Sequence, residues 1–447
     1  MIENRIDGAF LPIYEYMRDF QERVRLSLCK VPFALVIERH QGYNFRFDAF
    51  VYSDDVATDA LNQVFAEKIV KTLMYMVGGY RIHVVGPLGL FTWLKKTFSQ
   101  DGARSFDVNI MEEVYNHPLE WIHCTLDALP QSHPECVDIG GDFKGNRIGF
   151  DAGGSDMKVV AVQDGNVLYQ EEIIWHPKVN ADASYHRKQI EDAMAKAASH
   201  LDHVDRIGVS SAGIIVSNQV RVASLFIRVP RSERITRLQN IFTEIAQRFG
   251  ASVQVANDGD VAAFMASRTL QQGNILGIAL GTSQASGYIN PEGRFLGWLW
   301  ELAFVPVAMH PDAAIDEWSH DRGVGAKYHS QDAMIRLAEQ GGIILDPSMT
   351  PAEKLKEIAS LAQAGSQIAL DAYHDTGVYL GYSLLYYHMF VPFSAVMLMG
   401  RVTSGIGGAK LIQAARDVLL KHQVDCTIHL PNENDRRLGQ ALAAAYL

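Results

Sequence analysis

With 447 residues, 48% of them hydrophobic and 20% charged, the chain has apolar material for several cores, and at roughly 150 residues per domain it holds two to four. A net charge of −11 argues against a nucleic-acid partner that depends on a basic surface. The cysteines Cys29, Cys124, Cys136 and Cys426 form no CxxC pair, so neither a zinc knuckle nor a disulfide framework is signalled, and reduced thiols in a cytoplasmic protein are expected.

The opening stretch MIENRIDGAFLPIYEYMRDF has early acids and no unbroken apolar run, so no signal peptide is expected. FALVIERHQGYNFRFDAFVYS alternates around QGYN, as a hairpin does. DALNQVFAEKIVKTLMYMV carries a helical apolar stripe, YRIHVVGP reads as a strand, and LGLFTWLKKTF as the next helix. These form an N-terminal α/β domain over residues 1–145, closed by the Pro- and Gly-rich linker PQSHPECVDIGGDFKGN.

A second region, 146–272, starts with IGFDAGGSDMKVVAVQDG, a hairpin around a glycine turn, followed by the strand NVLYQEEIIWH. SYHRKQIEDAMAKAASHL is a helix with Ser184 as its cap, DRIGVSSAGIIV a strand ending in small residues, and RITRLQNIFTEIAQRFG a helix. ASVQVANDGDVAAFMASRTL is a strand, an acid-bearing turn and a helix. The third region, 273–447, repeats the plan: the hairpin ILGIALGTSQASGYI, helices through 330–390, the strand AVMLMG, the helix GGAKLIQAARDVLLKH, the strand DCTIHLP and a last helix, DRRLGQALAAAYL. SLLYYHMFVPFSAVMLMG is the most apolar run, but it is short for a bilayer and reads as a buried helix end followed by a strand. No membrane partner is expected.

Glycine turns expose backbone N–H groups that can hold phosphate oxygens where no Cβ intervenes. AGGS and GTSQASG do this twice, each opening an α/β half. A Mg²⁺ ion beside a triphosphate takes a carboxylate, usually through water, and Asp151 is placed for that. Lys158 lies on the following strand, and its role stays open. MGRVTSGIGGAKLI is a third turn; Ser404, Gly405, Gly407 and Gly408 lie between strand and helix, where a ring can approach the backbone and a diphosphate the helix start. Neither a GxxxxGK[ST] loop nor a GxGxxG turn is present. In VANDGDVAAF, Asp258 ends a strand before a helix, a rigid position for a base that accepts a hydroxyl proton during phosphoryl transfer. Asn257 is the candidate for a substrate hydroxyl and Asp260 for a first-turn acid, while capping is the alternative role of Asp258.

FDAGGSDMK, GVSSAGII, ANDGDVAA, ALGTSQASGYI, GRVTSGIGG and DRRLGQALAAAYL together resemble the ROK family of sugar kinases and repressors, over about 147–447. The resemblance implies an α/β fold of two ribonuclease-H-like (actin-like ATPase) lobes with ATP and Mg²⁺ in an inter-lobe cleft, plus the extra N-terminal α/β domain. It implies Asp151, Gly153, Gly154 and Ser155 as the first phosphate loop and Gly281, Thr282 and Ser283 as the second. It places Gly400, Ser404, Gly405 and Gly408 around the adenosine, Asp258 as catalytic base, and Asn257 and Glu301 on the sugar.

The departures are specific. Where the family has ExGH, this chain has WLWELAFVPV, keeping Glu301 but placing Phe304 where the His belongs. The family's CxCGxxGCxE cluster falls on SHDRGVGAKYHSQDA, which has no cysteine, so no zinc is expected. His310, His320 and His329 lie nearby without ligand spacing. Trp298, Trp300 and Phe304 read either as a sugar-stacking wall or as core aromatics. The resulting expectation is an ATP-dependent kinase of a hexose or amino sugar, with a homodimer left open. The alternative is a nucleotide- or sugar-binding regulatory protein of the same fold, and a DNA-binding repressor is disfavoured by the acidic charge and the lack of a helix-turn-helix pattern.

Overall fold

The computed structural model describes the chain except Met1, Asp55, Asp138, Ile139, 141–143, Ser155, Thr282, Ser283 and Asn432, and except the side chains of 56–57 and 433–438. It forms two compact units. One gathers Met1–Glu135, Ile278–Ala285 and Trp300–Leu430; the other gathers Cys136–Gly277, Ser286–Leu299 and Pro431–Leu447.

The first unit opens with α1 (Ile13–Leu26), whose Ile13, Met17, Phe20 and Val24 recur at helical spacing and are buried. β1 (Lys30–Glu38) and β2 (Asn44–Tyr52) form the antiparallel hairpin that the alternation around QGYN suggested. α2 (Val56–Met76) follows; its Phe65 ring stacks on Phe20 at 4.4 Å. β3 (Arg81–Val85), α3 (Leu88–Thr97), α4 (Ser105–Tyr115) and β4 (Glu120–His123) complete a sheet of order β2-β1-β3-β4, with β3 and β4 parallel.

The second unit is built on β5 (Asn146–Ala152), β6 (Asp156–Gln163) and β7 (Asn166–Ile174), an antiparallel meander. α5 (Ala183–Ala198) follows. Its cap is Asp182, whose carboxylate accepts the Ser184 N–H at 2.8 Å, and not Ser184 as the sequence suggested. Asp182 sits two residues before Ser184, where the sequence reading places the helix start, and its two oxygens outcompete a hydroxyl for the free amides. β8 (Arg206–Ser211) lies parallel to β5. β9 (Ile214–Val216) and β10 (Gln219–Val222) make a small hairpin. α6 (Arg231–Glu233) comes next, and the segment read as one helix, 234–250, is broken into a π-helical turn Arg234–Leu238 and α7 (Ile241–Arg248). β11 (Ser252–Asn257) joins parallel to β8 and runs directly into α8 (Asp258–Leu270). The sheet order is β11-β8-β5-β6-β7.

β12 (Ile275–Leu280) and β13 (Gln284–Ile289) form the second glycine-turn hairpin. α9 (Gln331–Gln340), α10 (Pro351–Gln363) and α11 (Gln367–His388) precede β14 (Ala395–Met399), α12 (Gly405–Lys421) and β15 (Thr427–His429). The sheet here has order β13-β12-β14-β15. α13 (Glu433–Ala445) ends the chain and packs on the β5–β8 sheet of the second unit. It approaches so closely that a Cβ at Gly149 would fall 1.9 Å from Ala441 O, and one at Gly208 1.7 Å from Ala444 O. Glycines in adjacent parallel strands thus admit a helix backbone onto the sheet. The opposite face is filled by Ile148, Phe150, Ile190, Ile207, Phe242 and Ile245. No helix among the described residues is long and apolar enough to cross a membrane.

Candidate active site

β5, β8 and β11 run parallel, so their carboxyl ends share one sheet edge, the edge where open α/β sheets place ligands. Asp151 is the next-to-last residue of β5 and pairs in register with Ser210 of β8. β11 ends on Asn257, and Asp258 starts α8. Asn257 shapes this corner through both ends of its amide. Its Oδ1 accepts the Gly259 N–H at 2.7 Å, and its Nδ2 donates to Gly213 O at 2.6 Å. The side chain is the cap of α8. Gln440 from α13 braces the same corner: its Nε2 donates to Asp258 O at 3.3 Å, and its Oε1 lies 3.3 Å from Ser210 Oγ.

The charge of Asp151 acts on Asp258. Burial pushes Asp258 up to about 7, and the negative charge of Asp151 adds to that, against the pull of backbone N–H bonds. Burial lifts Asp151 to about 6, partly offset by a hydrogen bond from Ser210 and by Lys158. Two interacting acids titrate as a pair. Both carboxyls therefore protonate closer to neutrality than ordinary ones, and a half-buried acid of this kind can take up a proton at physiological pH.

At the β5–β6 turn, Gly153 O accepts the indole N–H of buried Trp175 at 2.9 Å. Lys158 pairs with Asp156 at 3.2 Å. A Cβ on Gly154 would fall 3.2 Å from Lys178 Nζ, so the structure brings an exposed cation to this turn that spacing along the chain did not reveal. Ser155, the fourth member of this expected loop, lies outside the described residues. Ser210 was also missed, and the signal was the strand-ending run of small residues GVSSAG.

In the first unit, Gly281 O accepts the Gln331 N–H at 3.0 Å at the start of α9, while Thr282 and Ser283 lie outside the described residues. Gly400 has φ 108°, and a Cβ there would lie 2.1 Å from Leu280 O. The end of β14 therefore abuts the end of β12, and the second and third glycine turns share one edge. Ser404 and Gly405 are exposed at the start of α12. Gly408 lies in the first turn of α12 against Thr403, where a Cβ would lie 2.1 Å from the Thr403 backbone.

Glu301 is half-buried, directly before the short helical turn Leu302–Phe304. Trp298 and Trp300 are buried, and Phe304 stacks on Tyr75 at 4.9 Å with Trp318 edge-on at 5.2 Å. The three histidines are not gathered. His310 accepts the Asp312 N–H, and His320 is exposed. His329 is fully buried with Nδ1 3.0 Å from Gln284 Oε1, and burial drives its imidazole down to about 4. Among the described residues no group of three or more His, Cys, Asp or Glu is arranged to hold a metal ion.

Residues 147–291 match the sequence model of the ROK family. Among solved structures, a ROK-family glucokinase from Streptomyces griseus, in complex with glucose and AMPPNP, is 21% identical. It aligns over 67% of this chain and 98% of its own, with a TM-score of 0.50. The ROK hexokinase from Thermus thermophilus is 18% identical over 67% and 97%, with a TM-score of 0.52. A ROK-family transcriptional regulator, a homolog of the E. coli MLC protein, is 17% identical over 67% and 76%, with a TM-score of 0.51. At such identities the likeness is one of fold. No curated protein sequence matches the chain.

Proposed function

We propose that this chain, whose residues 147–291 match the ROK family and whose fold is shared with ROK kinases, transfers the γ-phosphoryl group of ATP to a hydroxyl of a hexose or amino sugar. The observation that carries the reading is the Asp151–Asp258 pair at one sheet edge, with Asp258 poised near neutrality. Phosphoryl transfer needs little covalent help from the protein; it needs positioning and a proton acceptor. Asp258 accepts the proton of the attacking hydroxyl. Asp151 is assigned to a water-bridged Mg²⁺; carboxyls that resist ionising suit a cation, and Mg²⁺ when bound would offset phosphate charge. Gly153, Gly154 and Lys178 present backbone and an ammonium to phosphate oxygens. Gly281, Gly400, Ser404 and Gly405 are assigned to the nucleotide, and Glu301 to the acceptor.

A second reading, a regulatory protein that binds nucleotide or sugar without turnover, is favoured by the aromatic Phe304 where kinases of the family carry a histidine, and by the transcriptional regulator that shares the fold. ATP consumption measured across a panel of hexoses and amino sugars separates the two. Sugar-dependent turnover is expected; binding with no turnover supports the second reading.

A further inference from the structure

The segment that carries Glu301 has little regular structure of its own. Trp300 adopts φ 52°, a left-handed conformation unfavourable for a bulky side chain, which persists only where the surroundings fix it. The fixing groups come from α2. A helix leaves its last carbonyls without intrahelical partners. Here Met76 O accepts the Trp300 N–H at 3.0 Å, and Tyr75 O accepts the Glu301 N–H at 2.9 Å. The Tyr75 ring then stacks on Phe304 at 4.9 Å and 27°.

Tyr75 is itself held. Its hydroxyl donates to Asp107 Oδ1 at 2.7 Å, and Asp107 is paired at 2.9 Å with the fully buried Lys71. Lys71 also reaches Asp321, at 2.7 Å, in the loop that follows the Glu301 segment. The end of α2 is therefore locked to α4 and to that loop, and it grips the Glu301 backbone through two amides and one ring.

We infer that the end of α2 is the positioning element for acceptor binding, with Tyr75 and Phe304 setting the place of Glu301, so that residues 1–135 belong functionally to the acceptor site. This inference rests on the sugar-kinase reading. Tyr75 and Phe304 are positioning residues; neither is assigned a contact with the acceptor.

The test uses the full chain with Tyr75→Ala, Tyr75→Phe and Phe304→Leu, with glucose and glucosamine as acceptor probes. The measurements are KM for acceptor, KM for ATP, kcat, and amide exchange of the peptide containing Trp300 and Glu301. Tyr75→Ala is expected to raise the acceptor KM about tenfold and leave the ATP KM within about twofold, a loss confined to acceptor binding. Tyr75→Phe keeps the stack but loses the bond to Asp107, so it falls between wild type and Tyr75→Ala. Exchange at Trp300 and Glu301 accelerates in Tyr75→Ala. Should Tyr75→Ala fail to fold, Phe304→Leu removes the stack from the other side with bulk retained and gives the same split. Faster exchange with an unmoved acceptor KM, or unchanged exchange, overturns this inference alone. A wild type that phosphorylates neither probe overturns the kinase reading and this inference with it.

Discussion

Two clusters of acids, one in each unit, are treated in opposite ways. In the first unit, Asp107 and Asp321 meet Lys71 and Arg104, and Glu67 meets Arg104. Lys71 and Arg104 hold the Asp321 carboxyl far below its ordinary range despite its burial. In the second unit, Asp151 and Asp258 lie at one sheet edge with weaker compensation, and both carboxyls are pushed up. Compensated acids serve packing, whereas an under-compensated pair is a reservoir of unfavourable charge that a substrate or cation can relieve. The contrast teaches where to look for chemistry: in the cluster that the protein leaves unsettled.

The largest expected effect breaks the second cluster chemically. Asp258→Asn should lower kcat by about a thousandfold while the fold is retained, as loss of a general base does; steady-state turnover with ATP and acceptor checks it. Next comes the first cluster. Lys71→Met takes the buried ammonium from both Asp107 and Asp321 and should cost about 3 kcal/mol of unfolding free energy, read from urea denaturation.

Nucleotide should sharpen the contrast by acting on the second cluster. Adding Mg²⁺ with a non-hydrolysable ATP analogue at a hundred times its Kd should stabilise the wild type by about 2.7 kcal/mol. Asp151→Ala should lose most of that gain, as followed by thermal melting.

The smallest effect is one of pH, and its sign differs between clusters. Asp151 and Asp258 ionise later in the folded state than in the unfolded chain. Their contribution is fully present below about pH 4 and is lost as pH rises through about 6 to 7. Asp258→Asn should therefore be more stable than wild type at pH 8, by about 2 kcal/mol, and equal to it near pH 4. Asp321 behaves inversely: its carboxyl is depressed, so its contribution is present above the ordinary carboxylate range and lost in acid. Asp321→Asn should lose its deficit relative to wild type as pH falls below 4. Denaturation curves at several pH values check both.

Much of the second unit could be read along the chain because its signals are local. The β5–β6 alternation, the glycine turn and the strand–acid–helix run at Asn257–Asp258 each announce themselves within a few residues. The role of Asn257 could not be read, because a capping side chain and a ligand-contacting one occupy the same sequence position; only its bonds to Gly259 and Gly213 reveal the cap. Nor could the return of α13 to the sheet. Gly149 and Gly208 look like ordinary strand glycines until Ala441 and Ala444 are placed against them. The grip of Tyr75 and Met76 on Trp300 and Glu301 runs through backbone groups far apart in sequence, which carry no residue-type signature. Gly408, assigned to the adenosine by resemblance, packs on Thr403.

The most direct measurement is mass analysis of glucose and glucosamine after incubation with ATP, Mg²⁺ and either wild-type protein or Asp258→Asn. The account predicts an acceptor heavier by one phosphoryl group with the wild type and only a trace with the variant. Equal product from both would remove Asp258 from the chemistry, and no phosphorylated sugar from either would contradict the kinase assignment itself.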